Sequence, residues 1–337
     1  MEIIPFISAD FSCWQIYKRY YFCPPMELHN SIANFPASGE TVATMGTFDG
    51  VHLGHQKLLE RVRQQAADLG VPSIVVTFDP PPRLVLRPED TEARFLNTTK
   101  EKIALINDCG IDHLLMLNFD ASLAAMAPED FARKIFVKTL NVNTIIMGYD
   151  HHFGRHGKGN IFTLKSLGHE TGFQVEKLDA VDCNGEVISS TRIREALAAG
   201  QLELANSLLG YSYSLKGIVV EGQKLGRTIG YPTANLKVNY PWKLIPANGV
   251  YAVAVSCQSE HFCGMGNIGF RPTVSGIGQT VEVNIFDFDR DIYGETITLS
   301  FKKKTRDEQK FPGLDALKSA IAEDERLIRT YFSDQHA

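Results

Sequence analysis

Two histidines three residues apart, His52 and His55, flank Gly54 in the stretch Gly46-Thr47-Phe48-Asp49-Gly50-Val51-His52-Leu53-Gly54-His55. An apolar run, Val42 to Met45, precedes the stretch and an amphipathic one, Gln56 to Leu69, follows it. The pattern predicts a strand, a glycine-rich turn and a helix. Gly46, Gly50 and Gly54 let a polyphosphate approach the backbone, and a helix N-terminus favours anions. Both imidazoles can then reach the phosphates from one side, an arrangement suited to attack on a nucleoside triphosphate.

A second anion cradle is expected at Ile188-Ser189-Ser190-Thr191-Arg192-Ile193-Arg194. Ser189, Ser190 or Thr191 can cap the helix that follows. A cap alone needs no arginines, and Arg192 and Arg194 beside free N–H groups supply charge-assisted donors. A third motif runs Gly226-Arg227-Thr228-Ile229-Gly230-Tyr231-Pro232-Thr233-Ala234-Asn235. There the Thr233 hydroxyl and the Asn235 amide oxygen are hard donors suited to Mg²⁺. A fourth, Val281-Glu282-Val283-Asn284-Ile285-Phe286-Asp287-Phe288-Asp289, puts Glu282, Asn284 and Phe286 on one face of a strand. A lone strand Glu is ordinarily solvated. In a chain with phosphate loops, Glu282 becomes a candidate general base.

The elements that must hold these motifs change character along the 337 residues. From about 41 to 180, strand-like runs at 41–47, 73–78, 112–118, 143–148 and 173–178 alternate with helical patterns at 55–69, 99–108, 128–139 and 161–171. The alternation predicts a parallel sheet covered by helices on both faces. Ligands of such folds bind at the carboxyl ends of the strands, where both Gly46–His55 and the segment 148–154 fall. From about 213 to 301 the runs are short, alternating and punctuated by Gly and Pro, which predicts an antiparallel barrel or sandwich. A closing helix over 313–332 is expected to bury Leu314, Leu317, Ile321, Ile328 and Phe332. The segment 191–209 reads as the bridge. The division expected is an N-terminal extension (1–25), an α/β domain (26–208) and a barrel domain (209–337).

A net charge of −5 argues against a nucleic-acid partner. No apolar run is long enough to span a bilayer, so no membrane partner is expected. Six cysteines are scattered without a Cys-x-x-Cys pair, which fits a reducing cytoplasm. The run Lys302-Lys303-Lys304 reads as a solvated strand end.

Taken in order, G-T-F-D-G-V-H-L-G-H, I-S-S-T-R-I-R, G-R-T-I-G-Y-P-T-A-N and V-E-V-x-I-F-D-F-D resemble the signatures of the bacterial bifunctional riboflavin kinase/FAD synthetases, from about Thr41 to Phe332. The resemblance implies a Rossmann-like nucleotidyltransferase domain followed by an antiparallel β-barrel with a closing α-helix. It implies that the first domain adenylylates FMN from ATP, with His52 and His55 at the triphosphate, Gly46, Phe48 and Gly54 around it, and Ser190, Thr191 and Arg194 clamping the departing phosphates. Flavin contacts are implied at Phe78, Asp79 and Arg271. The barrel would phosphorylate riboflavin, with Gly226 and Gly230 in its phosphate loop, Thr233 and Asn235 holding Mg-ATP, and Glu282 activating the ribityl hydroxyl. The chain departs from that pattern where Pro81 stands for a histidine, Asp150 for an amide, His151 for an aromatic ring and Asn284 for a histidine. Pro81 and Asp150 favour a rival reading, a kinase whose adenylyltransferase domain is weakened or inactive. Another kind of adenylyltransferase would explain the first domain alone.

Overall fold

The computed structural model describes residues 25–36, 39–149, 151–183, 185–222, 226, 229–273 and 276–335, leaving aside the side chains of 34, 271–273 and 276–278. The expected extension, apart from residue 25, thus lies outside the described residues, as do Asp150 and the Arg271 side chain.

Among the described residues the first half comprises β1 (Glu27–His29), β2 (Thr41–Met45), α1 (Leu53–Leu69), β3 (Ser73–Asp79), α2 (Pro82–Leu86), α3 (Thr99–Asp108), β4 (His113–Asn118), α4 (Ala121–Ala125), α5 (Pro128–Ala132), β5 (Val142–Met147), α6 (Ile161–Thr171) and β6 (Gln174–Lys177). A two-stranded hairpin, β7 (Asp182–Cys183) and β8 (Glu186–Val187), leads to α7 (Ser190–Ala198) and α8 (Leu202–Leu209). The strands pair in parallel in the order β1-β4-β3-β2-β5-β6. β2 is buried along its whole length, as its unbroken Thr-Val-Ala-Thr-Met run requires of a strand covered on both faces. α1 covers one face with Leu58, Leu59, Val62 and Ala66, and stops at Gly70, whose φ of 67° is the left-handed cap. The strand order reverses between β2 and β5, so the loops after these two strands flank one crevice.

The second half is a closed antiparallel barrel in the order β10-β13-β12-β11-β14-β9. Its strands are β9 (Ser214–Val220), β10 (Ala234–Lys237), β11 (Gly249–Cys257), β12 (Glu260–Thr273), β13 (Gly276–Ile285) and β14 (Thr296–Arg306), and α9 (Leu314–Asp334) closes the chain. Inward residues such as Val281, Val283 and Ile285 fill the barrel, whereas Phe286 lies with Ile328 of α9 in a separate cluster. Ile321 and Phe332 pack on that cluster as expected. Leu314 does not: it is 57% exposed and lines the mouth of a cavity between α9 and the barrel. Helical spacing put it on the stripe, but at the first turn that stripe meets the cavity and not the cluster. The three lysines are not a free run either. Lys302 donates to Ser212 Oγ, Lys303 lies over the Tyr331 ring and Lys304 pairs with Asp307.

α7 and α8 join the halves. Ile193, Leu197, Leu202, Leu208 and Leu209 share one hydrophobic core with barrel residues Leu215, Tyr251 and Val253. Lys243 completes the seam. Its buried Nζ donates to the Leu96 carbonyl and to Glu101 Oε2, both at 2.7 Å, and lies 4.6 Å from the centre of the Tyr213 ring. Phe95 N–H donates to the Trp242 carbonyl and Leu244 N–H to the Phe95 carbonyl. The Tyr211 hydroxyl donates to the Gly50 carbonyl.

Candidate active sites

The first site forms where β2 runs into α1. His52 is the N-cap, and its Nδ1 accepts the His55 N–H at 3.3 Å. The two rings stack 3.7 Å apart, and Phe48 leans on His55. The turn between strand and helix is strained: Phe48 and Val51 take φ values of 49° and 35°, and a β-branched residue rarely does so. A Cβ on Gly50, itself at φ 89°, would lie 2.6 Å from Leu96 Cδ1. A Cβ on Gly54 would press on the His52 ring at 3.2 Å. Burial pushes the His52 pKa down to about 4 and that of His55 well below its ordinary value, with His52 and His151 adding repulsion at His55. Both rings are therefore neutral at pH 7. His55 Nδ1 is buried and has no hydrogen-bond partner among the described residues.

The second motif folds against the first. Ser189 caps α7, and Ser190 Oγ donates to the Asp49 carbonyl at 2.7 Å. Arg194 forms an ion pair with Asp49 at 2.6 Å and donates to Thr191 Oγ1. Asp49 is held in turn by the Leu96 N–H. Burial raises the Asp49 pKa, and Arg194 opposes that rise. Arg192 points elsewhere and pairs with Glu186, so only Arg194 of the two arginines reaches the crevice.

A cavity of about 210 Å³ opens beside this cluster, lined by Asp49, Pro81, Asn97, Lys102, Arg194 and Tyr240 among others. Pro81, the departure noted in the sequence, therefore sits in its wall. Asp79 stands at the carboxyl end of β3 and accepts from Thr99 Oγ1. Phe78 turns its ring into the core against Phe119, and its carbonyl accepts from Lys102 Nζ.

Two residues of this wall escaped the sequence reading. Lys102 is buried and donates also to the Thr77 hydroxyl and the Thr47 carbonyl, and burial lowers its pKa to about 8. Its signal was a cation four residues before Ile106, on the buried stripe of α3. Tyr240 comes from the barrel half, and no local pattern marks it.

The other site lies on the barrel. Asn235 on β10 faces Glu282 on β13, and Glu282 also faces Asn267 on β12. Thr233 Oγ1 donates to Glu282 Oε2 at 3.3 Å, and Asn284 Nδ2 donates to the Pro232 carbonyl at 2.7 Å. Glu282 is only 4% exposed. A Cβ on Gly226 would strike the Tyr231 carbonyl at 2.2 Å, so glycine is required there, and Gly230 takes φ 90°. Two cavities flank the β10–β13 wall. The outer one, about 380 Å³, holds Asn235, Glu282 and Asn284 under α9, with Met265, Phe311 and Leu314 as apolar lining. The inner one, about 400 Å³, lies against Val219, Val283, Phe288 and Tyr293. Thr233 lines both.

A family model described as FAD synthetase matches residues 35–192, and one described as riboflavin kinase matches residues 209–332. The bifunctional riboflavin kinase/FMN adenylyltransferase of Escherichia coli strain K12 is 40% identical over 306 residues, covering 90% of this chain and 96% of that protein. The chain belongs to the bifunctional riboflavin kinase/FMN adenylyltransferase family. The Haemophilus influenzae member is 39% identical over 307 residues, covering 91% of this chain and 98% of its own. A crystal structure from Streptococcus pneumoniae, described as a macrolide-efflux protein, matches with a TM-score of 0.83 and 32% identity over 91% of this chain and 99% of that one. In this family member no helix among the described residues is long and apolar enough to cross a membrane.

Proposed function

We propose that this chain makes FAD from riboflavin in two ATP-dependent steps, one in each half, within the cytoplasm and without nucleic-acid or membrane partners. In the barrel, the ribityl 5′-hydroxyl of riboflavin attacks the γ-phosphorus of ATP, giving FMN and ADP. In the α/β half, an FMN phosphate oxygen attacks the α-phosphorus of a second ATP, giving FAD and pyrophosphate. The observation that carries the reading is the position of Thr233 between two cavities with the Glu282 carboxylate beside it. A flavin and a nucleotide entering from opposite faces of the β10–β13 wall would meet there.

The apolar lining of the outer cavity suits the flavin ring, so the ribityl chain would reach Glu282, which takes the hydroxyl proton as general base. The nucleotide base would occupy the inner cavity, and its phosphates would pass Thr233 into the outer one, where Asn235 and Gly226 lie. Thr233 and Asn235 offer oxygen donors on one wall of the cavity, which fits Mg²⁺ and leaves Glu282 to act as the base. Bound there with ATP, the ion would supply charge neutralisation on the transferring phosphoryl group. Asn235 and Thr233 would orient the phosphates.

In the α/β half, neutral His52 and His55 would donate N–H groups to the triphosphate, at the positive end of α1. Arg194, braced by Asp49 and Thr191, would carry the charge that builds on the departing pyrophosphate. Lys102 is committed to backbone carbonyls, so it shapes the crevice floor and leaves the phosphates to Arg194. FMN would lie along the wall of Pro81 and Tyr240, and Asp79 would reach it from the end of β3. The test is a chromatographic assay of the purified full chain with riboflavin, ATP and Mg²⁺, beside a reaction begun from FMN. FMN followed by FAD in the first, and FAD in the second, supports both assignments. FMN without FAD in either would support the rival, in which the Pro81 and Asp150 departures have cost the adenylyltransferase its function.

A further inference from the structure

At the opposite end of the sheet from the nucleotide crevice, three side chains converge that neither reaction uses. Glu27 and His29 alternate onto one face of β1, and His113, paired in register with Glu27, opens β4 on the same face. His29 Nε2 lies 3.2 Å from His113 Nδ1 and 3.8 Å from Glu27 Oε2, and His113 Nδ1 lies 3.6 Å from that same oxygen. The same three atoms make a closed triangle. A tetrahedral ion with bonds of about 2.0–2.1 Å requires donors roughly 3.3 Å apart, and these edges are within half an ångström of that. Phe35 sets its ring edge-on to both imidazoles, at 5.0 and 5.8 Å, and walls the triangle on one side. His29 is buried and Glu27 exposed, so the triangle has a dry base and a wet mouth. Among the described residues it is the one group of three such donors placed to share an ion.

We propose that Glu27, His29 and His113 form a binding site for a divalent transition ion of the Zn²⁺ class, with water as the fourth ligand. Two imidazole nitrogens and one carboxylate are the donors such ions favour, whereas Mg²⁺ takes an all-oxygen shell. The site is therefore chemically separate from the Mg-ATP used in catalysis. Its place explains its use. Among the described residues β1 is a three-residue edge strand paired only with β4, and an ion shared by both strands would clamp that edge.

The test uses the tag-free full-length chain, stripped with chelator and titrated with Co²⁺. The expected result is one Co²⁺ per chain with the intense visible absorption of four-coordinate cobalt, displaced by Zn²⁺. His113→Ala should abolish the band. Glu27→Gln should weaken binding by at least about tenfold, the lower end of what even an outer-sphere partner contributes. Zn²⁺ should raise the melting temperature of the wild type and leave that of His113→Ala unmoved. FAD formation should be the same in both. His113 is partly exposed, so its truncation leaves the fold intact, which circular dichroism checks. Absence of the band up to millimolar Co²⁺ would overturn the proposal, because the two rings then merely share a hydrogen bond. Survival of the band in His113→Ala would overturn it equally, because the ion would then sit on the crevice histidines.

Discussion

Replacing Lys243 by Met removes the cation at the seam between the halves while keeping most of its volume. Two 2.7 Å hydrogen bonds are lost, one of them to a carboxylate. The Lys243 side chain is 1% exposed and that of its Glu101 partner 18%. Burial lowers the Lys243 pKa, and Glu101 works against that shift. Breaking a buried pair from one side costs about 3–5 kcal/mol, mostly because the other charge stays behind. Glu101 keeps the Thr98 N–H, at 2.8 Å, and some water, so the lower end applies, about 3 kcal/mol. With a urea slope of about 3 kcal/mol per molar, the unfolding midpoint should fall by about 1 M. The loss should also reach catalysis. The Leu96 carbonyl that Lys243 holds belongs to the same residue whose N–H holds Asp49, and Asp49 braces Arg194. FAD synthesis from FMN should therefore drop by about tenfold or more, as loosened positioning does. Urea denaturation followed by circular dichroism, and a chromatographic assay starting from FMN, measure the two effects. Adding Glu101→Gln removes the stranded charge and should restore part of the midpoint. An unchanged midpoint, or a double variant weaker than the single one, would refute the reasoning.

His52→Ala should let FMN accumulate from riboflavin while FAD synthesis falls about 10²-fold or more; FAD appearing at the native rate would dismiss the histidine from its role. Glu282→Gln should lower FMN formation by about 10²–10⁴-fold and spare FAD formation from supplied FMN, and equal loss of both activities would contradict the division between halves. Tyr240→Ala, although in the barrel half, should raise the KM for FMN in the adenylylation assay and leave the riboflavin KM alone; the reverse pattern would mean that the ring serves the barrel. Stability should fall on the acid side. His52 titrates near 4 in the folded chain and near 6.5 unfolded, so between those values the unfolded state binds the extra proton and stability declines as pH drops. The fall from 6.5 to about 4 corresponds to about 3 kcal/mol, complete only below pH 4. Chemical denaturation at stepped pH should show this slope reduced in His52→Ala.

Residues 41–180 were legible because parallel strands buried on both faces must be continuous apolar runs, and Val42–Met45 and Ser73–Phe78 are such runs. His52 and His55 were found because glycines and a helix start stand beside them. β1 was missed because three residues, Glu-Leu-His, carry no period. β10 was read as loop because it follows a glycine-rich segment, and its strand character comes from pairing with β9 and β13. Tyr240 and Lys243 could not be found by local reading, since their partners lie in the other half of the chain. Leu314 obeyed the helical spacing and still faces out, because a binding cavity needs apolar lining as much as a core does.

The shared core of α7, α8 and the barrel also sets a timetable for the ribosome. These helices end at Leu209, whereas the strand that completes the barrel ends only at Arg306. Chains lengthen by roughly 5–20 residues per second, so the apolar faces of both helices emerge seconds before the surface that covers them exists. During that interval the nascent α/β half carries Ile193, Leu197, Leu202 and Leu208 without their partners. Such a patch invites aggregation or a chaperone. Synonymous slowing of translation through the barrel codons should therefore lower the yield of active chain more than the same slowing within the first sheet.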